Sequence, residues 1–459
     1  MSATGLEQAR RKMADGDVHP EAIEVFAHFY RQLESGATGV IAEDDIEPLT
    51  DVPRLADLDV DDQQAAEALS QTAVVKLNGG LGTSMGMDRA KSLLPVRGDR
   101  TFLDVIAQQV LATRATHGAR LPVVFMNSFR TRDDTLAALK RHPELAVEQL
   151  PPDFLQNREP KLRADDLTPV QWPDDPQLEW CPPGHGDVYT ALDASGLMRQ
   201  LLDAGYRYVS VSNADNLGAS PSPTVAGWFA ATGAPYAAEV CRRTSADRKG
   251  GHLVRRRSDG RLVLRETAQT RPEDAQRAAD IDRHPFFHTN NLWFDLQEVA
   301  RTLAERDGVL GLPLIRNDKT VDPADPSSPA VVQIESAMGA AVEVFEGARA
   351  IEVDRSRFLP VKTTNDLLLM RSDVYDLDDD GRLRLHGDAA PFVDLAKEHY
   401  GLLPRFDVRF PTGPPSLVDA HSLRVEGDWT FGAGVRVVGD VTLGPAGGTV
   451  ADGEQLAAP

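Results

Sequence analysis

The sequence of 459 residues has almost no cysteine and no long apolar run. With only Cys181 and Cys241 present, a disulfide framework is excluded, and we expect a reducing compartment, namely the cytoplasm. No stretch approaches the roughly 18 apolar residues of a membrane-spanning helix. The first residues, MSATGLEQARRKMADG, contain neither an apolar run nor a cleavage-site pattern. We therefore predict a cytoplasmic protein without a membrane partner.

The chain is also short of positive charge. It has 49 lysine and arginine residues against 70 aspartate and glutamate residues, which gives a net charge of −21. Such a field repels nucleic acid and anionic membranes, so we expect neither as a partner. Any basic residue that holds a phosphate must act locally, against this field. The length and the ordinary apolar content of 41% favour a globular protein of two or three domains.

Glycine, by contrast, is concentrated in one loop, which reads KLNGGLGTSMGMDRAKS at 76–92. The loop is not a P-loop, because no glycine stands directly before Lys91, and it fails the dinucleotide pattern G-x-G-x-x-G, because position 85 is Met. Glycine lets backbone N–H groups approach a ligand without an intervening Cβ. We predict a phosphate-binding loop that matches neither template, although a purely structural turn is an alternative.

Strand and helix patterns alternate along the middle of the chain. Phe102, Val105, Ile106 and Val110 share one face of a predicted helix over 101–115, which begins with a capping-box pattern at Thr101 and Asp104. Short apolar runs predict strands at 72–77, 121–126, 206–216, 235–240, 288–294 and 330–335. This alternation predicts an α/β fold with a mostly parallel sheet covered by helices. Ligands of such sheets bind beyond the carboxyl ends of the strands, where the glycine loop and residues 213–216 would both lie.

The C-terminal part has a six-residue repeat. One apolar register contains Val425, Phe431, Val437 and Leu443, and a second contains Leu423, Trp429, Val435 and Val441. This period predicts hexapeptide β-helix coils, with two glycine-turned hairpins as the alternative. The repeat covers little more than one coil, and the residues from Gly444 onward are expected to form a loose tail. So short a coil must pack on the catalytic domain or on another subunit. Because the polar, glycine-rich tail offers little for an end-to-end interface, we expect a monomer or a weak dimer.

Six sequence blocks together resemble the eukaryotic-type UTP–glucose-1-phosphate uridylyltransferases, also called UDP-glucose pyrophosphorylases. The blocks are LNGGLGTSMGMDRAKS (77–92), MNSF (126–129), PPGHGDVY (182–189), VSNADNLGA (211–219), TNNLW (289–293) and SRFLPVKTTNDLL (356–368). The resemblance implies a Rossmann-like, GT-A-type mixed sheet, mostly parallel and flanked by helices. It also implies a helical N-terminal segment over 1–70, a nucleotide-binding catalytic domain over 71–385, and a C-terminal segment over 386–459 with a short left-handed β-helix at about 418–444.

The reaction implied by the resemblance joins UTP and glucose 1-phosphate into UDP-glucose and pyrophosphate. An oxygen of the sugar phosphate attacks the α-phosphorus of UTP in line with the departing pyrophosphate, with Mg²⁺ as cofactor. The nucleophile is already ionised near neutral pH, so no general base is required. Catalysis must therefore consist of positioning and cationic stabilisation.

The resemblance also implies roles for individual residues. The catalytic pair would be Lys91 and Lys362, and Asp215 would ligate Mg²⁺, for which a single carboxylate beside phosphate oxygens is sufficient. Contacts with UTP are expected from Leu77, Asn78, Gly79, Gly80, Lys91, Gln156, Gly184, Asp215 and Lys362. Contacts with the sugar phosphate are expected from Gly79, Gly80, His185, Asn213, Ala214, Asp215, Gly251, Glu266, Asn290 and Asn291.

Other functions and plainer roles remain open on the sequence. A related enzyme could use galactose 1-phosphate, N-acetylglucosamine 1-phosphate or several sugars, because one altered contact can change selectivity. A Rossmann dehydrogenase and a non-catalytic assembly module are further alternatives. At the level of residues, Asp215 could simply cap the next element, and His185 could be a hydrogen-bonded loop histidine. Asn290 and Asn291 could be satisfied amides at the end of a strand.

Overall fold

A mixed sheet of ten strands forms the centre of the computed structural model, which describes residues 3–244, 247 and 250–457. In chain order, its strands are β1 (Ile46–Pro48), β2 (Thr72–Asn78), β3 (Val123–Asn127), β4 (Asp153–Leu155), β5 (Tyr208–Asn213), β6 (Tyr236–Arg242), β7 (His252–Arg256), β8 (Leu262–Arg265), β9 (Phe286–Asp295) and β10 (Arg349–Glu352). The mixed α/β architecture expected from the sequence is confirmed.

The half of the sheet that carries the glycine loop is parallel. Strands β4, β3, β2 and β5 lie side by side in that order, and Asn213 at the end of β5 is paired with Leu77 near the end of β2. The glycine loop and the segment after Asn213 therefore leave the sheet at the same edge, as the alternating pattern predicted.

The other half of the sheet contains antiparallel strands. Strand β9 lies between β5 and β6 and runs antiparallel to both, whereas β6 and β10 are parallel. The short segment 257–261 joins the antiparallel strands β7 and β8, which need no long crossover, whereas the longer segment 266–285 leads from β8 to β9. The predicted strand at 330–335 is present, but Ala330–Glu335 belongs to a separate antiparallel sheet with Ile315–Thr320 and Leu162–Arg163. Three further short pairs join Pro95–Arg97 to Arg100–Thr101, Glu159–Pro160 to Trp180–Cys181, and Tyr375–Leu377 to Leu383–Leu385.

Helices cover both faces of the central sheet. Along β2, the buried side chain of Val74 belongs to one hydrophobic core, and those of Ala73 and Val75 belong to the other, as the alternation of a strand requires. The predicted helix forms over Phe102–His117 and begins with the Thr101–Asp104 capping box. The remaining α-helices are Ala3–Asp15, Pro20–Glu34, Asp62–Ser70, Arg132–Leu139, Val188–Ala194, Leu197–Asp203, Pro223–Thr232, Ala275–Ala278, Leu296–Glu305, Thr364–Arg371, Lys397–Tyr400 and Leu403–Asp407.

The first 70 residues combine helices with one strand of the central sheet. Three of the helices above lie in this segment, and β1 pairs antiparallel with β7. The N-terminal segment is thus joined to the sheet by backbone hydrogen bonds as well as by packing. Within the described part of the chain, none of the helices has both the length and the apolar character needed to span a lipid bilayer.

The C-terminal repeat forms pairs of parallel strands. Strand Ala420–Val425 pairs with Arg436–Leu443 so that Leu423 lies beside Val441, three repeats later in the sequence. Hairpins would have produced antiparallel pairs, so the hairpin alternative is wrong. Six of the eight repeat side chains are buried, and those of Trp429 and Leu443 are partly buried. A further strand, Phe392–Leu395, continues this sheet on the other side of Ala420–Val425.

The expectation of a loose tail after Leu443 is wrong for the described residues up to Ala457. Strand Gly448–Val450 pairs in parallel with Trp429–Phe431, and Gln455–Ala457 pairs with residues 436–438. Val450 continues the inward apolar positions and is 1% exposed. A side chain at Gly448 would meet the Trp429 ring, so the glycines that suggested disorder instead permit close packing. Residues 458–459 of the expected tail lie outside the described residues.

Candidate active site

The glycine loop closes on itself immediately after β2. Gly82 and Gly86 adopt left-handed backbone angles, with φ of +65° and +75°, which favour glycine. Beyond them, the backbone N–H of Lys91 donates a hydrogen bond to the Gly80 carbonyl over 3.1 Å. Leu402, from the C-terminal part of the chain, packs on the loop, since a Cβ at Gly86 would lie 3.3 Å from its Cδ2. The loop thus brings Lys91 beside the glycines at its start.

Lys91 and Asp215 meet at the shared edge of β2 and β5. The Lys91 Nζ donates a hydrogen bond to Asp215 Oδ2 over 2.7 Å, and the two side chains are 15% and 20% exposed. The backbone N–H of Ala214 donates to the Leu77 carbonyl, which ties the two strand ends together. A cation and a carboxylate that are distant in sequence are therefore preassembled in a partly open cleft.

Lys362 lies close to the same edge. The backbone N–H of Val361 donates to the carbonyl of Asp215 over 3.2 Å, and Pro360 forms an isolated bridge with Asn216. The Lys362 Nζ stands 6.0 Å from the ring centres of both Phe287 and Phe358, which contact each other. These rings support the ammonium group without neutralising it.

Gln156 extends over the glycine loop from the end of β4. Its backbone N–H donates to the carbonyl of Asn127, and a Cβ at Gly79 would lie 2.9 Å from the Gln156 side-chain carbon Cδ. The side chain of Asn78 is buried and donates to Asn127 Oδ1 and Thr135 Oγ1. Asn78 therefore offers its backbone, not its amide, to the cleft, whereas Gly79 and Gln156 face each other.

His185 is a neutral histidine held by the backbone. Its Nδ1 accepts a hydrogen bond from the Met338 N–H over 2.9 Å, and burial lowers the pKa of His185 to about 4. The ring proton is consequently on Nε2, which can donate to a phosphate or hydroxyl oxygen. The preceding Gly184 has a φ of +79°, and a Cβ there would lie 2.5 Å from the Ser336 carbonyl oxygen. Only glycine fits at this position without moving the neighbouring strand.

Gly251, Glu266 and Asn290 line the side of the site formed by β7, β8 and β9. A Cβ at Gly251 would lie 2.8 Å from Glu266 Oε1. Burial raises the pKa of Glu266, and the charge of Lys362 opposes that rise. Asn290 has a φ of +58°, an uncommon conformation for a residue inside a strand, and its Oδ1 lies 3.0 Å from His288 Nδ1. Such a conformation is frequent at functional sites.

Asn291 is placed differently from the other expected sugar contacts. Its side chain is buried, and Nδ2 donates to Glu239 Oε2 and to the Arg357 carbonyl, while Oδ1 accepts from Asn216 Nδ2. Both amide protons of Asn291 are thus engaged inside the protein. The expectation that Asn291 contacts the sugar came from the resemblance of the TNNLW block, whereas in the free protein its amide is engaged by Glu239, Arg357 and Asn216.

Several buried charged residues of this region escaped the sequence analysis. Lys76 is fully buried in β2, where its Nζ donates to Ser212 Oγ and the Ala219 carbonyl, and burial lowers its pKa to about 7. Asp187 accepts two hydrogen bonds from Asn157, and burial raises its pKa to about 7. For Lys76, the sequence offered one signal, which is a single charged residue inside the apolar strand TAVVKL.

The donor set fits a Mg²⁺ ion that is held mainly by phosphate. Among the described residues, no group of three or more histidine, cysteine, aspartate or glutamate side chains is arranged to hold a metal. Asp215 provides one partly exposed carboxylate beside Lys91. Mg²⁺ binds readily through one or two carboxylates together with phosphate and water oxygens, so Asp215 would be its protein ligand when a triphosphate is present.

Substitution of Gly80 by alanine tests whether a ligand lies against the loop. The backbone at Gly80 has no left-handed strain, and an added Cβ would meet nothing within 4 Å. We therefore expect an unchanged melting temperature but a Michaelis constant for the nucleotide raised about tenfold or more, because backbone approach to phosphate requires that space. Gly444→Ala, which is equally open, is the matched control and should leave both quantities unchanged. Normal nucleotide affinity in Gly80→Ala would contradict this position for the ligand.

Comparison with known proteins gives one consistent match. A family model described as UTP–glucose-1-phosphate uridylyltransferase matches residues 23–437. The UTP–glucose-1-phosphate uridylyltransferase of Solanum tuberosum is 38% identical over 412 residues, which cover 88% of this chain and 84% of that protein. The Saccharomyces cerevisiae protein of the same name is 38% identical over 379 residues, covering 82% of this chain and 74% of its own length.

Solved structures agree with the sequence relatives. A mutant UDP-glucose pyrophosphorylase from Leishmania major, crystallised with UDP-glucose, has a TM-score of 0.93 and 40% identity, with 100% of this chain and 99% of that chain covered. The corresponding structure from Trypanosoma brucei, described as a UDP-glucose phosphorylase, has a TM-score of 0.89 and 40% identity, covering 99% of this chain and 100% of that one. With the family model matching most of the sequence, these similarities show that the chain belongs to the UTP–glucose-1-phosphate uridylyltransferase family.

Proposed function

We propose that this protein transfers the uridylyl group of UTP to glucose 1-phosphate, giving UDP-glucose and pyrophosphate. The observation that carries the proposal is the meeting of Lys91, Asp215 and the Lys362 segment at one edge of the sheet. Two cations, and a carboxylate that can hold Mg²⁺, are the groups that a triphosphate requires for binding. Membership of the uridylyltransferase family supports the choice of substrates.

The reaction is a direct displacement at phosphorus. A phosphate oxygen of glucose 1-phosphate forms a bond to the α-phosphorus of UTP while the bond from that phosphorus to the bridging oxygen breaks, and pyrophosphate leaves with the electron pair. Lys91 and Lys362 offset the negative charge that grows on the leaving group and hold the two anions in line. Asp215 would hold Mg²⁺, which would offset part of the negative charge of the phosphate oxygens. No residue needs to remove a proton from the nucleophile.

The remaining site residues orient the two substrates. The backbone from Leu77 to Gly80 would cradle the nucleotide, and Gln156 would bind the edge of uracil, supported by its position over Gly79. Asn213 and Ala214 would line the junction of nucleotide and sugar. The His185 Nε2 would donate to the sugar phosphate, and Glu266 and Asn290 would bind sugar hydroxyls near Gly251.

A pyrophosphate-release assay tests the proposed function. The purified protein is incubated with Mg²⁺, one of UTP, ATP, dTTP or GTP, and glucose 1-phosphate, galactose 1-phosphate or N-acetylglucosamine 1-phosphate. We expect the highest kcat/KM for UTP with glucose 1-phosphate. A preference for another sugar would support the related enzyme instead, since one altered contact can change selectivity. Turnover with ATP or dTTP but not UTP would overturn the proposal, and release of no pyrophosphate would favour a non-catalytic relative.

For the architecture, we propose three parts: a helical N-terminal segment (1–70), the catalytic domain (71–385) and a C-terminal segment (386–459). The coils at about 418–444 are proposed to be a short left-handed β-helix, which is supported by their parallel pairing three hexapeptides apart. Two unpaired cysteines, Cys181 and Cys241, support action in the reducing cytoplasm.

We further propose that the protein is a monomer or a weak dimer. The outermost strand of the coils, Gln455–Ala457, has mostly exposed side chains, with only Leu456 partly buried, so the end of the coils presents little apolar surface for an interface. Light scattering at micromolar concentration should give the mass of one or two chains. A mass of four chains or more would overturn the proposal.

A further inference from the structure

A buried ion pair lies beneath the two loops that carry Asp215 and Lys362. Arg357 donates two hydrogen bonds to Glu239, one to each carboxylate oxygen, both over 2.7 Å. Glu239 in β6 has no exposed surface, and its oxygens also accept from Trp293 Nε1 and Asn291 Nδ2. Although burial disfavours its charge, the pKa of Glu239 is lowered by the Arg357 charge and by these hydrogen bonds. The carboxylate is therefore ionised and fully engaged.

Arg357 connects this pair to both loops. Its guanidinium group also donates to the carbonyl of Ser220, at the end of the Asp215 loop. Its own carbonyl accepts from Asn216 Nδ2 and Asn291 Nδ2, each over 3.1 Å. Arg357 lies five positions before Lys362 in the same segment. Through its guanidinium group and its carbonyl, this one residue joins the Asp215 loop, the sheet and the segment that carries Lys362.

Asn216 completes the connection between the loops. It directly follows Asp215, and its Oδ1 accepts from the backbone N–H groups of Gly218 and Leu359. From the opposite side, the buried Lys76 holds Ser212 and Ala219, the residues on either side of the turn that contains Asp215. None of these hydrogen bonds involves the ammonium group of Lys91 or Lys362.

We propose that Glu239 and Arg357 are positioning residues, which act through Asn216 and the Lys362 segment to hold Asp215 and Lys362 at the separation that the transferring phosphate requires. This inference rests on the proposed function, since it assigns Asp215 and Lys362 to the same reaction.

A buried ion pair is a poor source of stability. Its desolvation cost can equal or exceed the attraction, so an apolar pair of similar volume can be as stable. What the Arg357–Glu239 pair supplies instead is geometry, because a planar guanidinium group facing a carboxylate fixes both distance and orientation. In-line transfer between two anions depends on such placement, and small displacements reduce its rate strongly.

The test compares single and double substitutions of the pair. Arg357→Met and Glu239→Gln each leave one buried charged or polar partner unsatisfied and should lower both the melting temperature and kcat. The double variant Glu239→Gln/Arg357→Met removes both charges, and its amide keeps one acceptor oxygen for Trp293 Nε1 or Asn291 Nδ2, so it should melt above both single variants. We expect its kcat to remain at least tenfold below wild type, and its Mg²⁺ concentration for half-maximal rate to be raised. Arg357→Lys, which keeps the charge but not the two-oxygen contact, should show the same reduced kcat.

Arg207→Met is the matched control. Arg207 donates to Asp295 over 2.8 Å at the opposite end of β5, far along the strand from Asp215. Its loss should change the melting temperature without changing kcat or the Mg²⁺ dependence. If the double variant recovered both its melting temperature and the kcat of wild type, the inference would be overturned. The ion pair would then serve stability alone.

Failure of the proposed function and failure of this inference give different results. If wild-type protein does not use UTP and glucose 1-phosphate, the proposed function fails, and the same variants are compared on the nucleotide and sugar phosphate that it does turn over. If no combination of nucleotide and sugar phosphate is turned over, Mg²⁺-dependent UTP binding is measured by calorimetry in place of kcat. A double variant that is as stable as wild type and binds MgUTP equally well would then overturn the positioning role.

Discussion

Alanine in place of Lys91 is expected to lower kcat by about 100- to 1,000-fold with little change in melting temperature. Removal of one well-placed donor to developing charge typically has an effect of this size. In the free protein, the side chains of Lys91 and Asp215 are 15% and 20% exposed, so water can reach the Asp215 carboxylate when the lysine is removed. We therefore expect only a small loss of stability. Steady-state pyrophosphate release and a melting curve on the same preparation measure the two quantities.

An exposed lysine outside the site provides the control for Lys91. Lys140 follows the helix Arg132–Leu139 and is exposed, so Lys140→Ala should keep wild-type kcat. This comparison removes the general effect of one lost positive charge on a chain with a net charge of −21. If Lys91→Ala retained kcat within twofold of wild type while correctly folded, Lys91 would have no catalytic role.

Substitution of Asp215 by asparagine should raise the Mg²⁺ concentration needed for half-maximal rate and lower kcat by about tenfold or more. A neutral amide oxygen is a weaker ligand for this hard cation than a carboxylate. Among the described contacts, the Asp215 carboxylate accepts from Lys91 and caps no helix. We therefore expect the melting temperature to change little, which distinguishes this variant from loss of a structural residue.

A Mg²⁺ titration of Asp215→Asn beside wild type decides between metal ligation and a local turn role. Asparagine replaces aspartate well in turns and caps, so a turn role predicts wild-type kcat and an unchanged metal requirement. Asp61→Asn is a useful control, since the Asp61 side chain caps the helix Asp62–Ser70 by accepting from the Gln64 N–H. Its substitution should leave the melting temperature, kcat and the metal requirement unchanged. Equal metal dependence in Asp215→Asn and wild type would contradict the assigned role.

The location of the site could be predicted because it depends on local rules. Apolar runs separated by helix patterns imply a sheet whose ligand edge carries the loops after each strand. The glycine loop and the segment after Asn213 follow such runs, and the structure pairs Asn213 with Leu77. Similarly, the six-residue period of the C-terminal region has a direct physical meaning, and its side chains point inward.

Features that depend on distant partners could not be predicted in this way. Arg357 and Glu239 are 118 residues apart, and nothing in either local sequence indicates the other. The amide of Asn291 is buried against Glu239 and Arg357, so the sequence could not distinguish Asn291 from its neighbour Asn290. The antiparallel direction of β9 is seen only in its pairing with β5 and β6, which are distant from it in sequence. The tail beyond Leu443 was misjudged because glycine permits both disorder and close packing.

The contact between Leu402 and Gly86 has a consequence for how the chain folds during synthesis. The glycine loop leaves the ribosome early, but the residue that packs on it is made only after most of the remaining chain. Contacts of such long sequence separation form slowly and late. We infer that a nascent chain can complete the parallel half of its sheet while the loop still lacks its final support. A chain that ends before residue 402 would lack the side chain that packs on Gly86.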